Sequence, residues 1–314
     1  MPWFTRQSSS YHTLDPYQGL SHPVKVLYLA INKANNLRST PSDRSVFQVQ
    51  PFTQSEPDPL FPFLNPQDSP SRKLCNLFWM SLPWAEIQTQ LNGQIHAFDI
   101  GCGAGNYGPF LETHSGNRLA SYTGVDVEAN PLWKKLQTER PDFYQFHRFQ
   151  GKDIRPFFSD KTNFILSQSA LEHIPEDVTF FEQLHEFIER RKQPTIQVHL
   201  FPAADTYSLY PFHGIRQYTP RTISKLIKPF DRTASQFAVY TLGAEASIRV
   251  HRDFIFQGFL RKTRDVRKEQ AEAYKAAGEQ ALREDLHTKD TRHPSFYALV
   301  IQSYTTKPLP SVSH

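Results

Sequence analysis

The stretch Ala97-Phe98-Asp99-Ile100-Gly101-Cys102-Gly103-Ala104-Gly105-Asn106-Tyr107-Gly108 decides the fold. An apolar run ends at an acid, and three glycines at alternate positions turn the chain toward a helical segment. Glycine lacks a Cβ, so the main chain can turn sharply there and its N–H groups can approach a ligand. Such a turn joins a strand to a helix in an open α/β sheet.

Outward from this turn, strands and helices alternate. The spacing of apolar residues predicts strands at 96–100, 122–127, 146–150, 164–167 and 195–201, with helices at 105–113, 132–139 and 176–191. Repeated alternation implies a mostly parallel sheet with helices on both faces. Upstream, Ser69 followed by Pro70, and Leu74, Leu77, Phe78 and Leu82 at helical spacing, predict an amphipathic helix ending near Pro83. Before it, seven prolines from Pro41 to Pro70 exclude a long helix or central strand, so residues 1–68 read as a loop-rich arm and 69–314 as the main domain. The exception in the arm is Val24–Ile31, a short strand or helical turn. Downstream lie a loop over 202–218, a short helix capped by Thr219-Pro220, a strand at 235–242, a charged helix and a last strand at 295–303. The regions 202–220 and 245–294 read as insertions on the substrate side.

Composition narrows the class. The 314 residues are 39% hydrophobic and 21% charged, with a net charge of +4 and two cysteines. Basic residues lie beside acids, as in the run from Arg261 to Arg292, which reads as a solvated helix face and not as a phosphate-binding stripe. No nucleic-acid partner is expected, and no apolar run spans a bilayer. Cys75 and Cys102 form no Cys-x-x-Cys pair, and the first residues lack an apolar leader, so a reducing cytoplasm is the expected setting.

Two cofactor classes fit the glycine turn. Gly103, Gly105 and Gly108 satisfy G-x-G-x-x-G, and Asp126 follows at a strand end, as a dinucleotide site requires. With Asp99 included, the pattern is Asp-x-Gly-x-Gly-x-Gly, which resembles motif I of the class I S-adenosylmethionine-dependent methyltransferases. Three further segments resemble that family in order: Tyr122 to Val127, Phe149-Gln150-Gly151-Lys152-Asp153-Ile154, and Phe164 to Ile174 with its Leu171-Glu172-His173-Ile174. The chain also lacks a Tyr-x-x-x-Lys pair, the acid-base pair of one large dehydrogenase class.

The resemblance implies a Rossmann-like methyltransferase fold with a seven-stranded sheet, an antiparallel last strand and S-adenosylmethionine as cofactor. It implies that Asp99 receives the cofactor's amino group, that Gly101, Gly103 and Gly105 admit close main-chain approach, that Asp126 binds the ribose and that Asp153 binds the adenine amino group. Ser167, in the fourth-strand segment, is placed with them. Glu128 is a rival for the ribose.

Methyl transfer needs an aligned nucleophile, and a base if that nucleophile is a hydroxyl. Candidate bases are Glu172, His173 and His213, with His199 a further histidine in reach. Tyr210, Arg216 and Tyr218, beyond the fifth strand of the family pattern, are candidates for substrate contact, Arg216 for an anionic group. No metal cluster is evident. The expected reaction is methylation of a small molecule at a hydroxyl of a sugar or metabolite; the rivals are a nicotinamide-dependent oxidoreductase and a non-catalytic cofactor-binding protein. Oligomeric state is not legible.

Overall fold

The computed structural model describes residues 6–41, 48–232, 234–257 and 266–312. Eight strands form one sheet: β1 (Val49–Pro51), β2 (Ile95–Ile100), β3 (Leu119–Asp126), β4 (Tyr144–Arg148), β5 (Phe164–Gln168), β6 (Thr195–Pro202), β7 (Ser235–Leu242) and β8 (Phe296–Ser303). Their order is β1-β7-β8-β6-β5-β2-β3-β4. Every pairing is parallel except those of β8, which runs antiparallel to both β6 and β7. Strands β6 and β8 are buried along their whole lengths, as the centre of a sheet covered on both faces requires.

Among the described residues, the α-helices of seven residues or more are α1 (His22–Asn36), α2 (Pro70–Met80), α3 (Trp84–Gln90), α4 (Tyr107–His114), α5 (Pro131–Glu139), α6 (Asp177–Arg191), α7 (Pro220–Ile227), α8 (Glu245–His251) and α9 (Ala271–His287). One apolar core lies between the sheet and α2, α3, α4, α5 and α9, around Trp79, Trp133 and Leu282. The other lies under α6 and α7, whose Phe181, Leu184, Ile188 and Ile223 are buried against the opposite face. In α6 the buried Phe180, Phe181, Leu184, Phe187 and Ile188 share one face, and Lys192 closes the helix in the left-handed region. Ser69 caps α2 by accepting from the Arg72 N–H at 3.2 Å. Asp285 of α9 caps α8 from outside, accepting from the backbone of Ala244, Ala246 and Ser247.

The sheet has eight strands where seven are expected. The eighth, β1, comes from the proline-rich stretch and pairs with β7 at the sheet edge. Pro51 is tolerated there because an edge strand needs only half of its hydrogen bonds. The segment expected as a short strand or turn at Val24–Ile31 is part of the 15-residue α1. Of the charged run, residues 261–265 lie outside the described residues. Within α9, Tyr274, Gly278, Leu282 and Leu286 are buried on one face. Among the described residues no helix is long and apolar enough to cross a membrane.

Candidate active site

The strand order reverses at β2, which has β3 on one side and β5 on the other, and a crevice opens beyond their carboxyl ends. Gly101 has φ 72°, and a Cβ on it would lie 2.3 Å from that of Ala170. Gly103 has φ 54° and faces open space. Its peptide is held at both ends: the N–H donates to Asp126 Oδ2 at 2.8 Å, and the carbonyl accepts from Trp133 Nε1 at 2.8 Å. Trp133 in turn stacks on Phe146, with ring centroids 5.3 Å apart. The other Asp126 oxygen accepts from the Glu128 N–H at 3.2 Å.

Asp99, at the end of β2, is 2% exposed. Burial pushes its carboxyl up to about 7; the hydrogen bond donated by Tyr122 Oη opposes the shift, and the charge of Asp126 adds to it. Between its ordinary 3.8 and 7 the folded chain holds a proton that the unfolded chain has lost. Stability from this group is therefore present at low pH and falls as pH rises through that window. Relative to Asp99→Asn, the wild type is expected to lose up to about 4 kcal/mol of unfolding free energy between pH 4 and pH 8. Urea denaturation across that range checks it; parallel pH profiles for the two proteins would contradict it.

Two cavities share Ser169 in their linings. The outer one, of about 240 Å³, is bordered by Gly101, Asp126, Phe149, Phe180, Ser169 and His173. The inner one, of about 160 Å³, is bordered by Ser71, Arg72, Gln168, Ser169, Tyr210 and His213. Ser169 sits between them at φ 51°, a left-handed conformation held by the turn that follows β5. Glu172 is fully buried, and neither carboxylate oxygen has a hydrogen-bond partner among the described residues. His213 Nε2 lies 3.5 Å from Glu172 Oε1, and His173 Nε2 lies 4.0 Å from it. Tyr17, from the N-terminal arm, shares a 3.0 Å hydrogen bond with His213 Nδ1. The arm covers this side further, with Tyr28 Oη donating to the Gly214 carbonyl and its ring stacking on Phe212.

The outer crevice fits the cofactor implied by the sequence. The open side of Gly103 leaves room for backbone approach, the Asp126 carboxylate at the mouth suits a pair of hydroxyls, and Phe149 and Phe180 offer an apolar wall for a flat ring. Asp99 is a buried acid at the base of the same loop, suited to a cationic group.

Several expected site residues lie elsewhere. Asp153 does not border the cavity: Arg155, two residues on, clasps it with bonds of 2.7 and 2.9 Å. Ser167 is buried within β5, its Oγ 2.8 Å from His199 Nδ1, and Ser169, in the turn after the strand, borders the crevice instead. His199 is a core residue; burial pushes it down to about 3, which keeps it neutral. Arg216, expected to meet a substrate anion, is fully buried; it donates to the carbonyls of Ile174 and Pro175 and to the hydroxyls of Ser8 and Ser10. Tyr218 is fully buried too, its hydroxyl donating to Asp177 at 3.1 Å. Tyr210 does border the inner cavity, and its hydroxyl pairs with His251 Nδ1 at 3.0 Å. No metal cluster is apparent in the sequence, yet the fold sets the donor atoms of Glu172, His173 and His213 within 4.8 Å of one another. Trp133, Phe149, Ser169 and Tyr17 were not legible as site residues. Ser169, next to the Leu-Glu-His-Ile segment, was the nearest to a signal.

Residues 98–190, from β2 to α6, match the family model described as a methyltransferase domain. No curated protein sequence matches the chain. Among solved structures, the chain is similar to the plantazolicin methyltransferase BamL in complex with a triazolic desmethylPZN analog and S-adenosylhomocysteine, at 14% identity over 76% of this chain and 86% of that one, with a TM-score of 0.42. It is also similar to the YcgJ protein of Bacillus subtilis, at 15% identity over 71% and 99% of the two chains and a TM-score of 0.39. A third is a likely methyl transferase from Burkholderia thailandensis bound to S-adenosylhomocysteine, at 11% identity over 92% and 96% and a TM-score of 0.43.

Proposed function

We propose that the chain, whose residues 98–190 match a methyltransferase domain, is a class I S-adenosylmethionine-dependent methyltransferase that uses this cofactor to methylate a hydroxyl of a small molecule, a sugar or metabolite, in the cytoplasm. The observation that carries the acceptor class is the inner cavity. It is only about 160 Å³ in volume and shares Ser169 with the cofactor crevice. The arm packs over its His213 side, which leaves room for a small acceptor and none for a folded macromolecule.

The bound cofactor supplies an electrophilic methyl on a sulfonium. The chain's own residues orient it and the acceptor. Asp126 accepts from the ribose hydroxyls while fixing the Gly103 peptide. Asp99 faces the amino group, Gly101 and Gly103 admit the main chain close to the ligand, and the wall at Phe149 and Phe180 receives the adenine, a contact that does not need Asp153. Placement of the acceptor oxygen in line with the methyl supplies most of the rate. His213, which borders the inner cavity with the buried Glu172 carboxylate 3.5 Å from its Nε2, takes the acceptor's proton when no ion occupies the pair. Tyr210 contributes an aromatic face to the acceptor.

The test is to supply methyl-labelled S-adenosylmethionine with separate pools of hydroxylated small molecules, RNA and protein. Label is expected in the small-molecule pool. Label confined to RNA or protein would contradict the proposal.

A further inference from the structure

We propose that Glu172, His173 and His213 form a binding site for a divalent transition-metal ion of the zinc type, with its open positions directed at the acceptor. A carboxylate that is fully buried with both oxygens unpartnered is costly unless something compensates it. The two nearest candidates are imidazole nitrogens, at 3.5 and 4.0 Å, and neither makes a hydrogen bond to it. A cation between the three satisfies all of them at once.

The geometry suits an ion. Bonds of about 2.0–2.2 Å from a tetrahedral ion set its ligand atoms roughly 3.3–3.6 Å apart. The Glu172–His213 pair is already at 3.5 Å, and the whole set lies within 4.8 Å. A swing of about 1 Å by the half-exposed His173 ring closes the site. Two imidazoles and one carboxylate favour zinc, iron or cobalt over magnesium or calcium, which take oxygen ligands. Tyr17 completes the support: with an ion on His213 Nε2, Nδ1 keeps its proton and donates to the Tyr17 oxygen, fixing the ring as ligating histidines are usually fixed. Gly214 packs against the Glu172 side chain and holds it in place, since a Cβ there would lie 2.9 Å from Glu172 Cγ.

Three protein ligands leave positions free, the mark of a reactive metal site rather than a structural one. His173 borders the cofactor crevice and His213 the inner cavity, so the ion would lie between the two. Use of the ion on the acceptor rests on the methyl-transfer reading; ion binding does not.

The experiment takes the full chain, stripped with a chelator, and titrates it with cobalt(II) followed by visible absorbance and with zinc(II) followed by calorimetry. S-adenosylhomocysteine is titrated in parallel. One ion per chain is expected at micromolar concentration, with the intense absorption of low-coordinate cobalt. His173→Gln and His213→Gln, whose side chains are partly exposed and whose folding is checked by thermal melts, should each weaken binding by about 100-fold. Glu172→Gln should do the same. Absence of stoichiometric binding, or unchanged affinity in both histidine variants, overturns the site. Ion binding without S-adenosylhomocysteine binding upholds the site and overturns the methyl-transfer reading; the reverse overturns the site alone.

Discussion

Replacing Arg216 with alanine is expected to lower the unfolding free energy by about 3–5 kcal/mol. Arg216 and Asp177 are both fully buried, 3.3 Å apart. The guanidinium also donates to the carbonyls of Leu171, Ile174 and Pro175 and to two hydroxyls of the N-terminal arm. Among the described residues, its removal leaves a buried carboxylate held by Ser9 and Tyr218 alone, together with carbonyls that have lost their donor. Lysine does not rescue it, because one ammonium cannot replace a planar fork that reaches five hydrogen-bond partners besides Asp177. Urea unfolding of Arg216→Ala and of the double variant with Asp177→Asn checks this. Neutralising Asp177 should recover part of the loss, and a deficit below about 1 kcal/mol for the single variant would contradict the account. Because Arg216 pins the strap carrying Glu172 and His173, its role at the site is positional.

Asp126→Ala is expected to weaken S-adenosylhomocysteine binding by about 100-fold, close to 2.7 kcal/mol. The carboxylate has two tasks: it accepts from the Gly103 N–H and is the proposed partner of the ribose. Loss of either leaves a polar group unpaired in the complex. Asp126 is only partly buried, so the melting temperature should move little. Calorimetric titration of the variant provides the number, and unchanged affinity would transfer the ribose role to the exposed Glu128.

The parts of this fold that were legible in the sequence are those written in local chemistry. Asp99, the glycines and Asp126 sit within single strand-turn units, where conformation follows from neighbouring residues. The strand and helix bounds from β2 to β7 differ from the sequence expectation by a few residues at most for the same reason, whereas α8 and α9 stand where one charged helix is expected. The arm was not legible. In α1 the buried residues are Tyr28, Asn32 and Asn35, whereas Val26 and Leu27 are exposed, so the apolar periodicity points away from the face that packs. β1 is three residues ending in proline, a pattern that reads as loop until an edge strand accepts it. Arg216 and Tyr218 look like surface recognition residues because their type is polar. What buries them is the arm and Asp177, remote in sequence. The convergence of Glu172 and His213 depends likewise on the loop after β6 folding back over the end of β5.

The central claim is that the crevice beyond β2 and β5 holds S-adenosylmethionine. Calorimetric titration of the chain with S-adenosylmethionine, S-adenosylhomocysteine and NAD tests it without knowledge of the acceptor. The account predicts micromolar binding of the first two at one site per chain and no binding of NAD. Binding of NAD alone would contradict it and assign Gly103, Gly105 and Gly108 to a dehydrogenase.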